Sequence, residues 1–297
     1  MRASVIIPTY QGAHRIEGTL HALEQQTRKD FELIVVIDGS TDGTAQIVNQ
    51  QKLTTGVRVV EQGNSGRAGA RNAGAREANG SLLVFYDDDL LPESDSFEKH
   101  IAFHDQHTNA ILTGNTPQYV KASDTDFSRY RAYLSTKWIK HYPDTLVLLQ
   151  KGNLFMNAAN CSLEKSLFDQ LGGFAEKLTD AEDKEFGIRA FKQEIPLYFD
   201  RRIIAWHNES ITCRSYTRRL RQYASANRAV WSMHPEFDAR GGDGQGKKWM
   251  YDLLASSWWV DAVDETTFFS LVPQKIRYAL YSAIIFALSE VHPEVPI

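Results

Sequence analysis

Three consecutive aspartates, Asp87-Asp88-Asp89, follow the apolar run Leu82-Leu83-Val84-Phe85-Tyr86. A short apolar run bounded by turn residues reads as a buried strand, and a strand end delivers its carboxylates into whatever cleft lies beyond it. Asp87 and Asp89, two positions apart, can both reach a divalent cation that bridges a diphosphate. Magnesium and manganese favour such oxygen ligation, completed by phosphate and water. The same residues read equally as a solvated turn, so the spacing alone does not choose. Two further acidic groups have the same double reading. Asp38, in Val35-Val36-Ile37-Asp38-Gly39-Ser40-Thr41-Asp42-Gly43-Thr44, is either an acceptor for a ligand's N–H or a turn and helix-cap residue, as is Asp42. Glu182-Asp183 opens a helix, whose N-terminus keeps a carboxylate ionised.

Other patterns point nowhere. The segment 241–248 carries Gly-x4-Gly-Lys, but no strand precedes it and Lys248 stands where a phosphate-binding P-loop has Ser or Thr. A mobile loop near an acceptor is the expectation there. His100 and His104 lie four apart on a helical stretch without the glutamate of a metalloprotease, and a solvated helix face is expected. No Gly-x-Gly-x-x-Gly follows the first strand, which argues against a dinucleotide enzyme.

The elements that must position these groups alternate. Strands are expected at 5–7, 31–37, 57–61 and 82–86, with helices through Ile16, Leu20 and Leu23, over 45–51 and over 68–78. That spacing demands a mostly parallel, helix-covered, Rossmann-like sheet, with ligands at the carboxyl ends of its strands. Pro8-Thr9-Tyr10, Asp38 and Asp87-Asp88-Asp89 all fall at such ends. Beyond about residue 105 the pattern changes. Helices are expected over 124–142, 163–171 and 183–192, and strands over 154–158 and 197–205. Residues 214–232 and 247–291 read as helical, split by the glycine-rich 240–246.

The bulk numbers suit a soluble globular protein with one large or two closely joined domains: 297 residues, 42% apolar and 24% charged. A formal net charge of -4 gives no global pull toward nucleic acid or anionic lipid. The two cysteines, Cys161 and Cys213, lie far apart without zinc spacing, so neither a disulfide framework nor a structural zinc is expected. Met1-Arg2-Ala3-Ser4 runs straight into a strand without the apolar core of a secretory signal, and a cytoplasmic location is the default expectation. The apolar tail 276–291 falls short of the roughly 20 residues that a membrane span needs. With the basic aromatic cluster Tyr216, Arg218, Arg219 and Arg221, it suggests a helical unit approaching a lipid-linked acceptor or lying at the inner membrane face. A helix packed on the core or at a homodimer interface is the plain alternative.

Six ordered motifs together narrow the choice. Val5-Ile6-Ile7-Pro8-Thr9-Tyr10, the Asp38 segment, Gly69-Ala70-Arg71-Asn72-Ala73-Gly74, Phe85 to Pro92, Asn157-Ala158-Ala159-Asn160-Cys161-Ser162, and Gly172-Gly173-Phe174-Ala175-Glu176 with Glu182-Asp183 occur in sequence. The series resembles the family 2 glycosyltransferases of the GT-A fold over roughly residues 3–210. The resemblance implies a nucleotide-sugar-binding half at 1–105, an acceptor-binding and catalytic half at 106–212, and a C-terminal helical extension at 213–297. It implies an inverting transfer of a sugar from a nucleotide diphosphate, a UDP-sugar foremost, to a hydroxyl of a glycan or lipid-linked acceptor, with Mn2+ or Mg2+. Pro8, Tyr10, Asp38, Arg71, Asp87 and Asp88 would line the donor site. Asp38 would accept the imide N–H of a uracil or thymine, and Arg71 would meet the diphosphate or a cleft carboxylate. Asp89 and His207 would hold the metal, and Asp183, with Glu182 the other candidate, would be the general base. Two rivals stand beside this reading. A sugar nucleotidyltransferase would carry a basic glycine-rich loop where this chain has Pro8-Thr9-Tyr10-Gln11-Gly12. A catalytically silent nucleotide-sugar-binding module would not be expected to keep Asp87, Asp89, Asp183 and His207 together.

Overall fold

A computed structural model describes residues 3–121, 124–238, 248–265 and 268–297. The first half alternates as expected: β1 (Ala3–Thr9), α1 (Ile16–Glu24), β2 (Phe31–Asp38), α2 (Thr44–Gln50), β3 (Arg58–Gln62), α3 (Gly66–Glu77), β4 (Leu82–Tyr86). There follow β5 (Leu90–Pro92), α4 (Ser96–His104), β6 (Ile111–Asn115), α5 (Asp126–Ile139), β7 (Val147–Leu148), β8 (Asn160–Glu164), α6 (Lys165–Leu171), α7 (Glu182–Lys192) and β9 (Leu197–His207). Helices α8 (Cys213–Met233), α9 (Lys248–Leu253), α10 (Trp258–Glu265) and α11 (Gln274–Phe286) complete the chain, the last continuing as a π-helical turn over Ala287–Val291.

The strands form one sheet in the order β3-β2-β1-β4-β8-β6-β9-β5, with β7 pairing β9 off that path. Strands β3, β2, β1 and β4 run parallel, β8 enters antiparallel to β4 and β6, and β6 and β9 are parallel again. Alternation along the buried strands divides two cores. Ile6, Ile34, Val36, Leu83 and Phe85 face the cluster with α3, α6 and α7 residues, whereas Val5, Ile7, Val35, Ile37, Leu82 and Val84 face the one with α1 and α4 residues. The run Ala68-Gly69-Ala70 and Ala73-Gly74-Ala75 lets α3 lie close on the sheet. A Cβ at Gly74 would stand 2.4 Å from Ile6 Cγ2.

The described residues up to Tyr119 with Thr136–Glu209 form one compact unit; Val120–Ser135 with those from Ser210 to Ile297 form a second. The second has its own core, including Phe127, Tyr130, Val260, Tyr278, Tyr281, Ile284 and Leu288.

Three expectations are corrected. Residues 154–158 form no strand; the ladder begins at Asn160, after a turn in which Asn160 N–H donates to the Asn157 carbonyl. Asn157 bonds through its own N–H to Thr113 Oγ1 and through its amide to Thr116 Oγ1, which draws this stretch out of the sheet. Leu163 and Glu164 belong to that strand, so the next helix starts at Lys165. His100 and His104 are not on a solvated face: both are buried, at 0% and 1% exposure, and meet Ser162 Oγ at 2.8 Å each. The glycine-rich stretch 240–246 and the P-loop-like match through residue 247 lie outside the described residues.

Candidate active site

The carboxyl ends of β1, β2 and β4 carry the expected groups, and each end is built differently. At β1, the Arg15 guanidinium donates from Nε to Asp88 Oδ1 at 2.9 Å and from Nη2 to the Tyr10 carbonyl at 3.0 Å. Thr9 Oγ1 donates to Asp88 Oδ2 at 2.6 Å, and a Cβ at Gly12 would fall 2.1 Å from that Thr9 oxygen. Asp88 is thus turned inward as the anchor of the β1 loop, and burial pushes its carboxyl up to about 6 against the pull of Arg15. The loop presents Tyr10, 48% exposed, and contains Gln11 in a left-handed conformation, φ 50°. Pro8 is buried in β1, past Ile6↔Phe85, the last register pair with β4.

At β2, Asp38 is buried against the start of α3. Its Oδ1 accepts from Gln62 Nε2 and Ser65 N–H at 2.8 Å each, and its Oδ2 from Gly66 N–H at 2.9 Å. Asp42 has the turn role: it accepts from Thr44 N–H and Ala13 N–H.

At β4, Asp87 meets a fully enclosed cation. Arg71, from α3, donates through Nη2 to Asp87 Oδ1 at 2.5 Å and through Nη1 to Glu182 Oε1. The neighbouring Asp183 accepts the N–H of Lys184 at 2.7 Å and that of Ala158 at 3.3 Å. Burial and the adjacent Glu182 charge push the Asp183 carboxyl up to about 6, while Arg71 pulls it down. Ahead of the pair, Ala181 is held left-handed at φ 60°, a strained conformation for an alanine that turns α7 so its first residues face Arg71. Between α3 and the approach to α7, the Asn72 amide bonds both the N–H and the carbonyl of Phe174.

Asp89 and His207 are brought together by pairing. Leu90 is in register with His207 across β5 and β9, Asn208 N–H donates to the Asp89 carbonyl at 2.9 Å, and His207 Nδ1 stands 3.6 Å from Asp89 Oδ1. One carboxylate and one imidazole are donors that Mn2+ and Mg2+ accept. Among the described residues no group of three or more His, Cys, Asp or Glu side chains could hold a metal ion. By itself the pair supplies two such groups, so any cation held here would need further oxygens from outside the protein, as magnesium takes them from phosphates and water.

Sequence reasoning missed Arg15 and Thr9, the partners that turn Asp88 inward. The signal was faint: a lone arginine at the mouth of α1 is the one cation close in sequence to the β1 loop.

A family model described as "Glycosyl transferase family 2" matches residues 4–172. An uncharacterized glycosyltransferase, YfnE of Bacillus subtilis, is 37% identical over 118 residues, 38% of this chain and 30% of the relative. The matched stretch thus spans less than half of that relative's length. Among solved structures, a mannosyltransferase of Pyrobaculum calidifontis in complex with GDP-Man and Mn2+ superposes with a TM-score of 0.61 at 18% identity, over 96% of this chain and 85% of that one. Staphylococcus aureus TarS 1–349 in complex with UDP gives a TM-score of 0.55 at 19% identity, over 99% and 91%. At such identities the likeness is one of fold, the GT-A arrangement.

Proposed function

The chain belongs to glycosyl transferase family 2, and on that premise we propose that it moves a sugar from a nucleotide diphosphate, a UDP-sugar foremost, to a hydroxyl of a glycan or lipid-linked acceptor, with inversion. The observation that carries this reading is Asp183: a carboxylate raised toward neutrality by burial, at the start of a helix, held by two backbone N–H groups. A carboxyl raised to about 6 is a stronger proton acceptor than an ordinary aspartate and is still the carboxylate above that pH, which suits a general base. Asp183 takes the acceptor's hydroxyl proton as that oxygen attacks the anomeric carbon from the face opposite the nucleotide. A single displacement of this kind inverts the centre.

In this reading Tyr10 and Asp38 contact the nucleotide, Pro8 and Asp88 shape the loop that does so, and Asp87 faces the sugar. Asp89 and His207 would hold Mn2+ or Mg2+, which would neutralise charge on the departing diphosphate, the kind of electrostatic contribution that is usually the largest. Residues 1–105 serve the donor and 106–212 the acceptor and the chemistry, with 213–297 as a helical extension. UDP bound to one structural relative supports the donor class, and Mn2+ in another supports the cation.

A thermal-shift screen of UDP, UDP-glucose, UDP-N-acetylglucosamine and GDP-mannose, each with and without Mn2+, tests the proposal. Stabilisation by a uridine diphosphate compound that grows with Mn2+ is expected. No shift with any of the four, with or without the cation, contradicts it.

A further inference from the structure

Among the described residues, the buried guanidinium of Arg71 pairs with both Asp87 and Glu182, a task no single-carboxylate partner would require. Its two terminal nitrogens go to different elements, Asp87 at the end of β4 and Glu182 at the start of α7, and its side chain is 3% exposed. The guanidinium carbon also lies 5.8 Å from the centre of the Phe174 ring, on the loop that Asn72 bonds. A planar fork can span two carboxylates in fixed directions; an ammonium, one compact charge, cannot do so in the same way.

We propose that Arg71 is a positioning residue: held between Asp87 and Glu182, it fixes the start of α7 against the donor-side strand end and balances the charge around Asp183. Glu182 is then the counter-ion of Arg71 and not the proton acceptor. This inference rests on the reading of Asp183 as base given above.

The charges around Asp183 are few and can be named. Glu182 precedes it, Arg71 approaches from α3, and the N–H groups of Lys184 and Ala158 point at its oxygens. Asp87 lies on the far side of the guanidinium, and the buried Cys161 thiol of β8 is near both carboxylates, which with burial hold it protonated. Glu182 raises the affinity of Asp183 for a proton and Arg71 lowers it. Removing the two members of one ion pair must therefore move Asp183 in opposite senses. An ion pair too remote to act on the charge of Asp183 would leave both limbs in place.

The test is the pH dependence of single-turnover nucleotide release to water, using whichever of the three nucleotide sugars stabilises the protein most, with Mn2+ present. The variants are Glu182→Gln, which is isosteric, and Arg71→Met, each checked for folding by circular dichroism and for UDP affinity by calorimetry. An opposite or like charge at this range moves a carboxyl by about one unit or more. The acid limb of the rate should fall to lower pH by about one unit in Glu182→Gln and rise by a similar amount in Arg71→Met. Limbs that stay in place, or that move in the same direction, overturn the proposal. If Arg71→Met does not fold, Glu182→Gln decides alone: its limb must move down while release persists, and loss of release at every pH contradicts the counter-ion role. Asp183→Asn separates the two layers. A variant that still releases nucleotide at the wild-type rate defeats the base assignment itself, whereas a slow Asp183→Asn with unmoved limbs in the other two defeats only the role of Arg71.

Discussion

Asp89 and His207 illustrate how a side chain's neighbours, more than its type, decide what it can do. Both stand at strand ends, partly open to solvent, 3.6 Å apart and beyond hydrogen-bond range. Asp88, one residue earlier, is locked to Thr9 and Arg15 and supports the loop instead. If the proposed metal role holds, replacing Asp89 by Ala should abolish nucleotide release in Mn2+ while the melting temperature changes little, because a strand-end carboxylate supports little of the core. His207→Ala should show the milder form, a higher Mn2+ concentration for half-maximal release. The check is a Mn2+ titration of release on each variant; an Asp89→Ala protein that releases nucleotide at the wild-type rate in EDTA contradicts the role. The motif Asp-Asp-Asp was readable as chemistry from its place after an apolar strand. Which aspartate turns inward was not, because that depends on Thr9 and Arg15, 79 and 73 residues away.

The parallel strands and their helices were legible because their apolar runs are long, bounded by turn residues and regularly spaced. The middle of the chain was less so. β6, Ile111-Leu112-Thr113-Gly114-Asn115, is too short and too polar at its end to stand out, and its ladder depends on β8 and β9, far along the chain. α4 was misjudged at one face. Phe97, His100, Ile101 and His104 follow the i, i+3, i+4, i+7 pattern of a buried stripe, so the two histidines face the core where their polarity alone suggests solvent. Their hydrogen bonds can be followed in one direction. Asn160 spends its amide hydrogens on the Asn115 and Ile203 carbonyls, so its Oδ1 must accept from His100 Nε2. His100 Nδ1 is then an acceptor for the Ser162 hydroxyl, whose oxygen in turn accepts from His104 Nε2. Both rings are therefore neutral, and burial pushes them down to about 4 and about 3. The sign follows directly. Between pH 6.5 and about 4 the unfolded chain takes up protons that the folded histidines refuse, so stability is lost as pH falls through that window. Asp88 and Asp183, raised by burial, oppose this in part. The diagnostic is therefore a comparison of melting temperatures: the double variant His100→Gln/His104→Gln should melt lower at pH 7 but lose less on acidification to pH 4.5. Equal losses in both proteins contradict the neutral relay.

The second compact unit was anticipated as helical, and its surface chemistry turns out mixed. The apolar tail is largely core: Tyr278, Tyr281, Ile284, Ile285 and Leu288 are buried within that unit. Its arginines are partly occupied too, with Arg221 donating to the Leu288 carbonyl and the Arg131 guanidinium 4.0 Å above the Tyr216 ring. No helix among the described residues is long and apolar enough to cross a membrane. What remains outside is a set of large apolar side chains, Trp249, Leu253, Trp258, Leu271 and Ile276, each more than half exposed. Exposed aromatic and aliphatic groups are one component of adsorption to a membrane interface. Liposomes containing phosphatidylglycerol should float a fraction of the protein at low salt, and Trp249→Ser with Trp258→Ser should diminish it. Protein that stays wholly in the soluble fraction rules out direct surface binding and turns the test to pairing of two copies, visible by light scattering.

The proposed catalysis rests on one side chain. Asp183→Asn keeps size and hydrogen-bonding shape but cannot accept a proton, and a positioned base contributes on the order of 10²–10⁴ in rate. Donor affinity by calorimetry and product formation should be measured on the same preparation, wild type against variant. The account predicts UDP and Mn2+ affinities within a few-fold of wild type and transfer slower by about a hundredfold or more, a loss in turnover and not in donor binding. Transfer within a few-fold of wild type would contradict it and move the search for the base to Glu182. Loss of donor binding would place this acidic pair in the nucleotide site instead.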